Sequence, residues 1–138
     1  MFNCQGLKPR TVPSKVPYIQ DLVGEKNQFF MALTETWLRE HTDAELTIDG
    51  YTLFRQDRKR QRSKKGRDSG GVAVYMRNDI AADMVTVASY SNGVIEMIGL
   101  YSKAKNLLLL VMYRQPDDIV GGHRSTNIEF KQALGELE

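Results

Sequence analysis

Short apolar runs separated by turn residues dominate the chain and predict a series of β-strands. The run at residues 29–34 is typical of a strand that is buried on both faces, because it shows no polar alternation. Asn92 and Gly93 are expected to form the turn between two of the strands. Further strands are predicted at residues 2–5, 51–54, 72–76, 84–90, 94–101 and 107–113.

One segment near the start of the chain has apolar residues at helical spacing instead. Val16, Ile19 and Val23 recur at intervals of three and four residues, which predicts a helix with one apolar face. Ser14 precedes them as a candidate N-cap, and Gly24 is expected to end the helix.

A second helix is predicted at the end of the chain. Thr126 and Glu129 have the spacing of a capping box, and an apolar face follows them. The predicted elements occur in the order strand, helix, strand, followed by several successive strands and a final helix. This order predicts an α/β protein. We expect a mixed, mostly antiparallel sheet with flanking helices, in a chain whose 138 residues suit one domain.

Composition excludes several kinds of chemistry. The single cysteine, Cys4, excludes a disulfide within the chain and any multi-cysteine zinc site. His41 and His123 are too far apart for a local two-histidine metal motif. The longest apolar run, at residues 107–113, is too short to span a membrane, and no secretory leader is visible. We therefore expect no membrane partner and a nuclear or cytoplasmic protein that is not secreted.

The formal net charge of +2 hides an uneven distribution of charge. Eight of the 19 basic residues form one segment, which we call the basic run, and only Asp57 opposes them there. The rest of the chain carries 11 basic and 16 acidic residues. The run is a solvated hairpin loop, a nuclear localisation signal, or a surface that binds nucleic-acid phosphates. Its members are Arg55, Arg58, Lys59, Arg60, Arg62, Lys64, Lys65 and Arg67.

Polar residues follow three of the predicted strands. Asn3 and Gln5 lie at the end of the first strand, Glu35 follows the second, and Tyr113 ends the last. Such strand ends gather functional groups in α/β sheets, and a carboxylate, two amides and a phenol together suit a hard cation and a phosphate. The pattern also allows simpler roles: a helix-start or solvated Glu, a turn-capping Asn, a surface Gln and a strand-end Tyr.

The order of several motifs resembles the endonuclease/exonuclease/phosphatase superfamily. The resemblance is closest to the endonuclease domains of LINE-type non-LTR retrotransposons, and it extends along nearly the whole chain. The segments that resemble that group are Asn3-Cys4-Gln5-Gly6-Leu7, Ala32-Leu33-Thr34-Glu35-Thr36-Trp37-Leu38, Gly50-Tyr51, Phe54-Arg55-Gln56-Asp57-Arg58, Gly70-Gly71-Val72-Ala73-Val74-Tyr75, Ile95-Glu96-Met97 and Tyr113-Arg114-Gln115-Pro116.

The resemblance implies a DNase-like four-layer α/β sandwich that nicks target DNA for retrotransposition by hydrolysing a phosphodiester. It implies that Glu35 holds Mg²⁺ or Mn²⁺, with Gln5 as a second metal-site residue at a position where many relatives have Asp. Tyr113 would donate a hydrogen bond to the scissile phosphate. Asn3 would orient catalytic or metal-bound groups.

The resemblance also implies that residues 1–138 are a partial domain, truncated at both ends. The family's Gly-Asp-Phe-Asn and Ser-Asp-His motifs do not occur, so we expect the chain alone to be a nearly inactive monomer. Expected partners are DNA, the missing C-terminal half and, in the full-length protein, a reverse transcriptase. The alternatives are a non-catalytic DNA-binding remnant and a phosphatase of the same superfamily.

Overall fold

A computed structural model describes residues 1–9, 13–59, 69–116 and 135 of the chain. The helix expected from Thr126 lies outside the described residues except for residue 135, which is helical. The strands are β1 (Phe2–Asn3), β2 (Phe30–Thr34), β3 (Tyr51–Gln56), β4 (Val72–Arg77), β5 (Met84–Ser91), β6 (Ile95–Ser102) and β7 (Leu107–Arg114). The helical elements are α1 (Val16–Glu25), α2 (Asn78–Ala81) and a 3₁₀ turn at Asp43–Leu46.

The described strands form two sheets. The first sheet has the order β1-β2-β4-β3, in which β1 runs parallel to β2 and the other pairs are antiparallel. The second sheet has the order β5-β6-β7 and is antiparallel throughout. The predicted α/β class is therefore confirmed, and the described strands divide between two mainly antiparallel sheets.

Both faces of the first sheet are covered by apolar side chains. On one face, Val16, Ile19 and Val23 of α1 pack in a cluster with Leu33 and other buried residues of the sheet and its loops. The Tyr75 hydroxyl also lies on this side and donates a 2.6 Å hydrogen bond to the Leu46 carbonyl oxygen. Successive strand residues point to opposite faces, so neighbours of Leu33 and Tyr75 face the second sheet.

The second sheet packs face to face on the first. Val74 and Met76 of β4 share a cluster with Ile98, Leu100 and Val111 of β6 and β7. The sandwich core therefore lies between the sheets, and a helix layer covers the far side of the first sheet. Three layers are present in the part of the chain that the structure describes.

Several element boundaries differ from the sequence expectations. The strand β2 begins at Phe30, and Phe29 is 59% exposed beneath the guanidinium of Arg77, so the expectation of a strand buried along its whole length is wrong. The strand β3 extends to Gln56, which places Arg55 of the basic run inside a strand. The pattern of apolar residues did not predict this extension, because the two added residues, Arg55 and Gln56, are polar.

The predicted turn at Asn92 is present in the structure, whereas the N-cap of α1 is Lys15 and not the predicted Ser14. The Asn92 side chain accepts hydrogen bonds from the Val94 and Ile95 amides and so closes the turn before β6. The Ser14 hydroxyl accepts a 3.2 Å hydrogen bond from the Val16 amide at the first residue of α1. None of the helices among the described residues is long and apolar enough to cross a membrane.

Candidate functional site

The functional residues predicted from sequence lie where several strand ends meet. The strands β1, β2, β3 and β7 end at this edge, and β4 and β6 begin there, as the paired positions Asn3–Thr34, Gln56–Val72 and Glu96–Tyr113 indicate. We call this region the site edge. It is formed by both sheets, because the Gly71 amide of the first sheet's loop donates a 3.2 Å hydrogen bond to Glu96 of the second.

The loops that follow β1 and β2 are held together by backbone hydrogen bonds. The Gly6 amide donates to the Glu35 carbonyl oxygen at 2.8 Å, and the Trp37 amide donates to the Gly70 carbonyl oxygen at 2.9 Å. A side chain at Gly6 would collide with the Trp37 ring, since a Cβ there would lie 2.6 Å from Cε3. The chain after Asn3 and the chain around Glu35 therefore form one rigid unit.

Backbone strain is concentrated in this unit. Gln5, Glu35 and Trp37 have φ angles of 44°, 57° and 56°. Non-glycine residues rarely adopt this left-handed conformation, and for a bulky residue such as Trp37 it is a clear outlier. Strain of this kind persists only where surrounding contacts enforce it, and it is frequent at functional sites.

The Gln5 side chain does not share the strand geometry expected for it. The strand β1 ends at Asn3, so Gln5 lies in the loop and the two-residue alternation that would align it with Asn3 does not apply. Both residues are exposed. The Lys15 ammonium group binds the carbonyl oxygens of Cys4 and Gln5 and so fixes this loop against the start of α1.

Glu35 and Tyr113 are brought together at the site edge. One carboxylate oxygen of Glu35, Oε2, accepts a 2.6 Å hydrogen bond from the Trp37 indole Nε1. Burial raises the pKa of Tyr113 above its usual range, and the Glu35 carboxylate raises it further through a hydrogen bond and its negative charge. The Tyr113 phenol therefore stays protonated at neutral pH and remains a hydrogen-bond donor.

A row of polar residues crosses the inner face of the second sheet beside Tyr113. Ser91 and Tyr113 are the cross-strand neighbours of Glu96 on either side, so all three point to the same face. Glu96 is fully buried and is paired with Arg58, whose Nε lies 2.6 Å from Oε1. The Arg58 guanidinium also lies 5.8 Å from the centre of the Tyr113 ring.

Arg55 of the basic run has an internal structural role. It makes five hydrogen bonds, three of which join β3 to the segment between β2 and β3, and its side chain is only 15% exposed. Their acceptors are both carboxylate oxygens of Asp57, one of Asp43, and the carbonyl oxygens of Arg39 and His41. Contact between Arg55 and DNA stays a prediction. The internal hydrogen bonds require an arginine at this position whether or not it contacts DNA.

The rest of the basic run is anchored at both of its ends. Lys59 is exposed, while its amide donates a 2.8 Å hydrogen bond to the Ser91 hydroxyl. Arg58 donates a 3.0 Å hydrogen bond to the Ser69 hydroxyl on the far side of the run. DNA contact by these residues stays a prediction, and five of them lie outside the described residues: Arg60, Arg62, Lys64, Lys65 and Arg67.

The donor groups at the site edge suit a cation that is coordinated mostly by oxygen atoms of water and of a bound phosphate. No group of three or more His, Cys, Asp or Glu side chains that could hold a metal ion occurs in the described ranges. Glu35 supplies one carboxylate, which Trp37 orients through Oε2. Mg²⁺ commonly binds one or two carboxylates together with water and substrate phosphates, so this donor set fits such an ion.

Sequence reasoning missed three contributors to the site: Trp37, Arg58 as an internal partner, and Glu96. The signal for Glu96 was present, because an acid inside the apolar strand β6 must find a cationic partner when buried. Trp37 was visible only as a neighbour of Glu35, and its hydrogen bond depends on the left-handed backbone at both residues.

Comparison with known proteins does not identify a family. No protein-family model matches the chain, and a search of curated proteins gives no significant match. The resemblance of the sequence motifs is therefore the basis on which a family is proposed below.

Proposed function

We propose that the chain is the N-terminal part of a Mg²⁺-dependent DNA endonuclease domain of the kind carried by LINE-type non-LTR retrotransposons. Within this proposal the three described layers belong to a DNase-like four-layer sandwich. The Gly-Asp-Phe-Asn and Ser-Asp-His motifs that would carry the remaining catalytic groups of such a domain do not occur in these 138 residues.

The meeting of Glu35 and Tyr113 is the observation that carries the proposal. These residues are 78 positions apart in the chain, and the loop of Glu35 follows the first sheet while Tyr113 belongs to the second. Hydrogen bonds at Gly70 and Gly71 and the pairing of Glu96 with Tyr113 nevertheless place both residues at one polar edge. A carboxylate beside a protonated phenol can bind a cation, and the phenol can turn its one proton from Glu35 to an oxygen of a phosphate that binds next to that cation. The strained loop conformations at Gln5, Glu35 and Trp37 support a functional role for this edge.

Each residue has a distinct part in the proposed reaction. Trp37 holds Oε2 of Glu35 and so fixes the carboxylate orientation, and Glu35 would hold the cation through its other oxygen, Oε1. When a phosphate binds, Tyr113 would redirect its single phenolic proton from Glu35 to a phosphate oxygen, and the exposed Asn3 would orient groups at the neighbouring strand end. When bound, Mg²⁺ would stabilise the charge that develops on the phosphate during hydrolysis.

DNA is the proposed substrate because the basic run leaves and re-enters the sandwich at the site edge. Arg58 and Ser69 join the two ends of the run, and Arg58 lies over Tyr113. Five further cations of the run are present between these ends, after Lys59. Each phosphate that such cations neutralise adds to affinity and to its dependence on salt.

A nicking assay tests the endonuclease proposal. Supercoiled plasmid is incubated with Mg²⁺ or Mn²⁺ and either this chain or the chain extended through its downstream reading frame. We expect nicking by the extended protein only. Tyr113→Phe should slow it at least about a hundredfold, as removal of one positioned hydrogen-bond donor does in other sites.

Glu35→Gln should abolish nicking, whereas Glu25→Gln provides a matched control because Glu25 is an exposed acid at the end of α1. Nicking that survives Glu35→Gln would contradict the proposed role of Glu35. An extended protein that hydrolyses phosphomonoesters and leaves plasmid intact would favour the phosphatase alternative.

A non-catalytic DNA-binding remnant is the second candidate function. It is favoured by the poor carboxylate supply at the site edge, since the described ranges hold no cluster of three acids or other metal-ligating side chains. Fluorescence anisotropy with a labelled duplex should show affinity that falls steeply with salt. Neutralising Lys59, Arg60 and Arg62 together should reduce the slope of log K against log salt by roughly 0.9 for each phosphate that the variant no longer neutralises.

A further inference from the structure

Arg58 is the residue at which the separate parts of the site edge converge. Its Nε and one terminal nitrogen contact both oxygens of Glu96, at 2.6 Å and 3.2 Å. The other terminal nitrogen donates to the Ser69 hydroxyl at 3.0 Å and lies 3.4 Å from Oε1 of Gln115. These contacts join the end of β3, the loop before β4, β6 and the end of β7.

The surroundings of Arg58 are shaped around its guanidinium group. A Cβ at Gly70 would lie 2.3 Å from Arg58 Nε, so only glycine leaves room for the side chain in its observed position. Its partner Glu96 has no solvent exposure, while the Arg58 side chain is 13% exposed. The cationic group therefore faces the protein interior more than the solvent.

We propose that Arg58 is a positioning residue that acts together with Glu96. It holds Tyr113 in place against Glu35, and it joins the two ends of the basic run through Ser69. This inference rests on the proposed function, in which Tyr113 meets the phosphate. It differs from the sequence expectation that Arg58 itself contacts DNA.

Physical chemistry supports this role. A fully buried carboxylate such as Glu96 requires a partner, because an uncompensated buried charge is strongly destabilising. The planar guanidinium fork binds both carboxylate oxygens in one fixed orientation, which a lysine ammonium group cannot reproduce. Tyr113 is the direct cross-strand neighbour of Glu96 and also contacts the guanidinium by a cation–π interaction. Its ring is therefore fixed from two sides.

Fluorine NMR of the chain labelled with 3-fluorotyrosine provides a test that does not require activity. The Tyr113 signal is assigned with Tyr113→Phe, and the signal of the buried Tyr75 serves as an internal control. Arg58→Lys keeps the charge and removes the fork, so we expect the Tyr113 signal to shift or broaden while that of Tyr75 stays unchanged. Arg77→Lys makes the same change at a cation stacked on Phe29 and should leave Tyr113 unaffected.

A second variant displaces Arg58 without altering it. Gly70→Ala places a methyl group where the guanidinium lies, at a residue whose φ is +69°. Gly50→Ala is the matched control, because its φ of +82° imposes similar strain and nothing lies within 4 Å of its Cβ position. We expect Gly70→Ala to change the Tyr113 signal and Gly50→Ala to leave it unchanged. An unchanged Tyr113 signal in both Arg58→Lys and Gly70→Ala would overturn the proposal.

DNA binding distinguishes this role from a direct phosphate contact. If Arg58 positions Tyr113, Glu96→Gln leaves the salt slope of duplex binding unchanged. If Arg58 contacts a phosphate, Glu96→Gln frees the cation and tightens binding, and Arg58→Met lowers the slope by about 0.9. Either of those last two results would overturn the proposal. A parent chain that binds no duplex would contradict the proposed function, while the fluorine experiment would still decide the role of Arg58.

Discussion

The two sheets in the described part of the chain have similar apolar strands but very different surroundings. In the first sheet, Leu33 and Tyr75 are fully buried against the α1 side, and Val74 is fully buried against the second sheet. In the second sheet, the inner face is buried, whereas Leu108 and Val85 on the outer face are each 56% exposed.

Exposure on the outer face of the second sheet is itself uneven. Near the site edge, Ile95 and Met97 are fully buried. The exposed apolar residues lie at the opposite end of the strands, where Tyr101 pairs with both Val85 and Leu108. Apolar sequence alone therefore does not report burial, because it does not specify what packs on each face of a sheet.

The largest difference between the sheets should appear when a central leucine is shortened. Leu33→Ala removes a fully buried side chain from the α1 cluster and leaves a cavity, so it should lower the free energy of unfolding by about 3 kcal/mol. Urea unfolding followed by circular dichroism measures this change. A decrease below about 1 kcal/mol would contradict the close packing of the first sheet.

A smaller effect is expected where the first sheet meets the site edge. Gly71 has a φ of +91°, and a Cβ there would lie 2.3 Å from Thr36 Oγ1. Gly71→Ala should therefore destabilise the protein by about 2 kcal/mol in the same urea experiment. Gly24→Ala is the control, since it lies inside α1 with nothing within 4 Å and should stabilise the chain by about 0.5 kcal/mol.

The second sheet should contribute a modest dependence of stability on pH. Hydrogen bonds from Lys105 and Ser102 lower the pKa of Asp83, which lies just before β5. Because the folded-state pKa is the lower one, the stabilisation is present above about pH 4 and is lost as the pH falls below that value. Melting temperatures measured from pH 7 to pH 3 should fall less steeply for Asp83→Asn. An identical pH profile would contradict this contribution.

The smallest change in stability is expected on the exposed outer face. Leu108→Ser should alter the free energy of unfolding by less than about 0.5 kcal/mol, because the side chain is already mostly in solvent. It should also reduce self-association in light scattering, since exposed apolar patches promote association. A destabilisation comparable with that of Leu33→Ala would show that this face is covered in solution.

Much of the fold was predictable because its signals are local. The apolar runs located the strands to within about two residues, and helical spacing identified α1. The four-residue helix α2 was missed, because one turn is too short to show a periodic pattern. The same reasoning failed at Phe29 and Phe30, whose exposure depends on how far the sheet extends.

The candidate site was predictable only in part. Glu35 and Tyr113 could be named because each lies at a strand end, and sequence order suggested that strand ends would meet. The exclusion of Gln5 from β1 could not be foreseen, since the strand ends early where the loop takes a left-handed turn. The sequence also could not predict that Arg55 and Arg58 each bind acidic partners within the protein, because most of their hydrogen-bond acceptors lie on other elements of the fold.

The sequence by itself determined the α/β class, the apolar strands, the helix α1 and the segregation of positive charge into one segment. These are consequences of residue type and short-range spacing. Only the tertiary structure decided that the strands divide into two packed sheets, that Glu35 meets Tyr113, and that Arg58 pairs with Glu96. Such contacts join residues tens of positions apart, and their geometry is set by packing between elements.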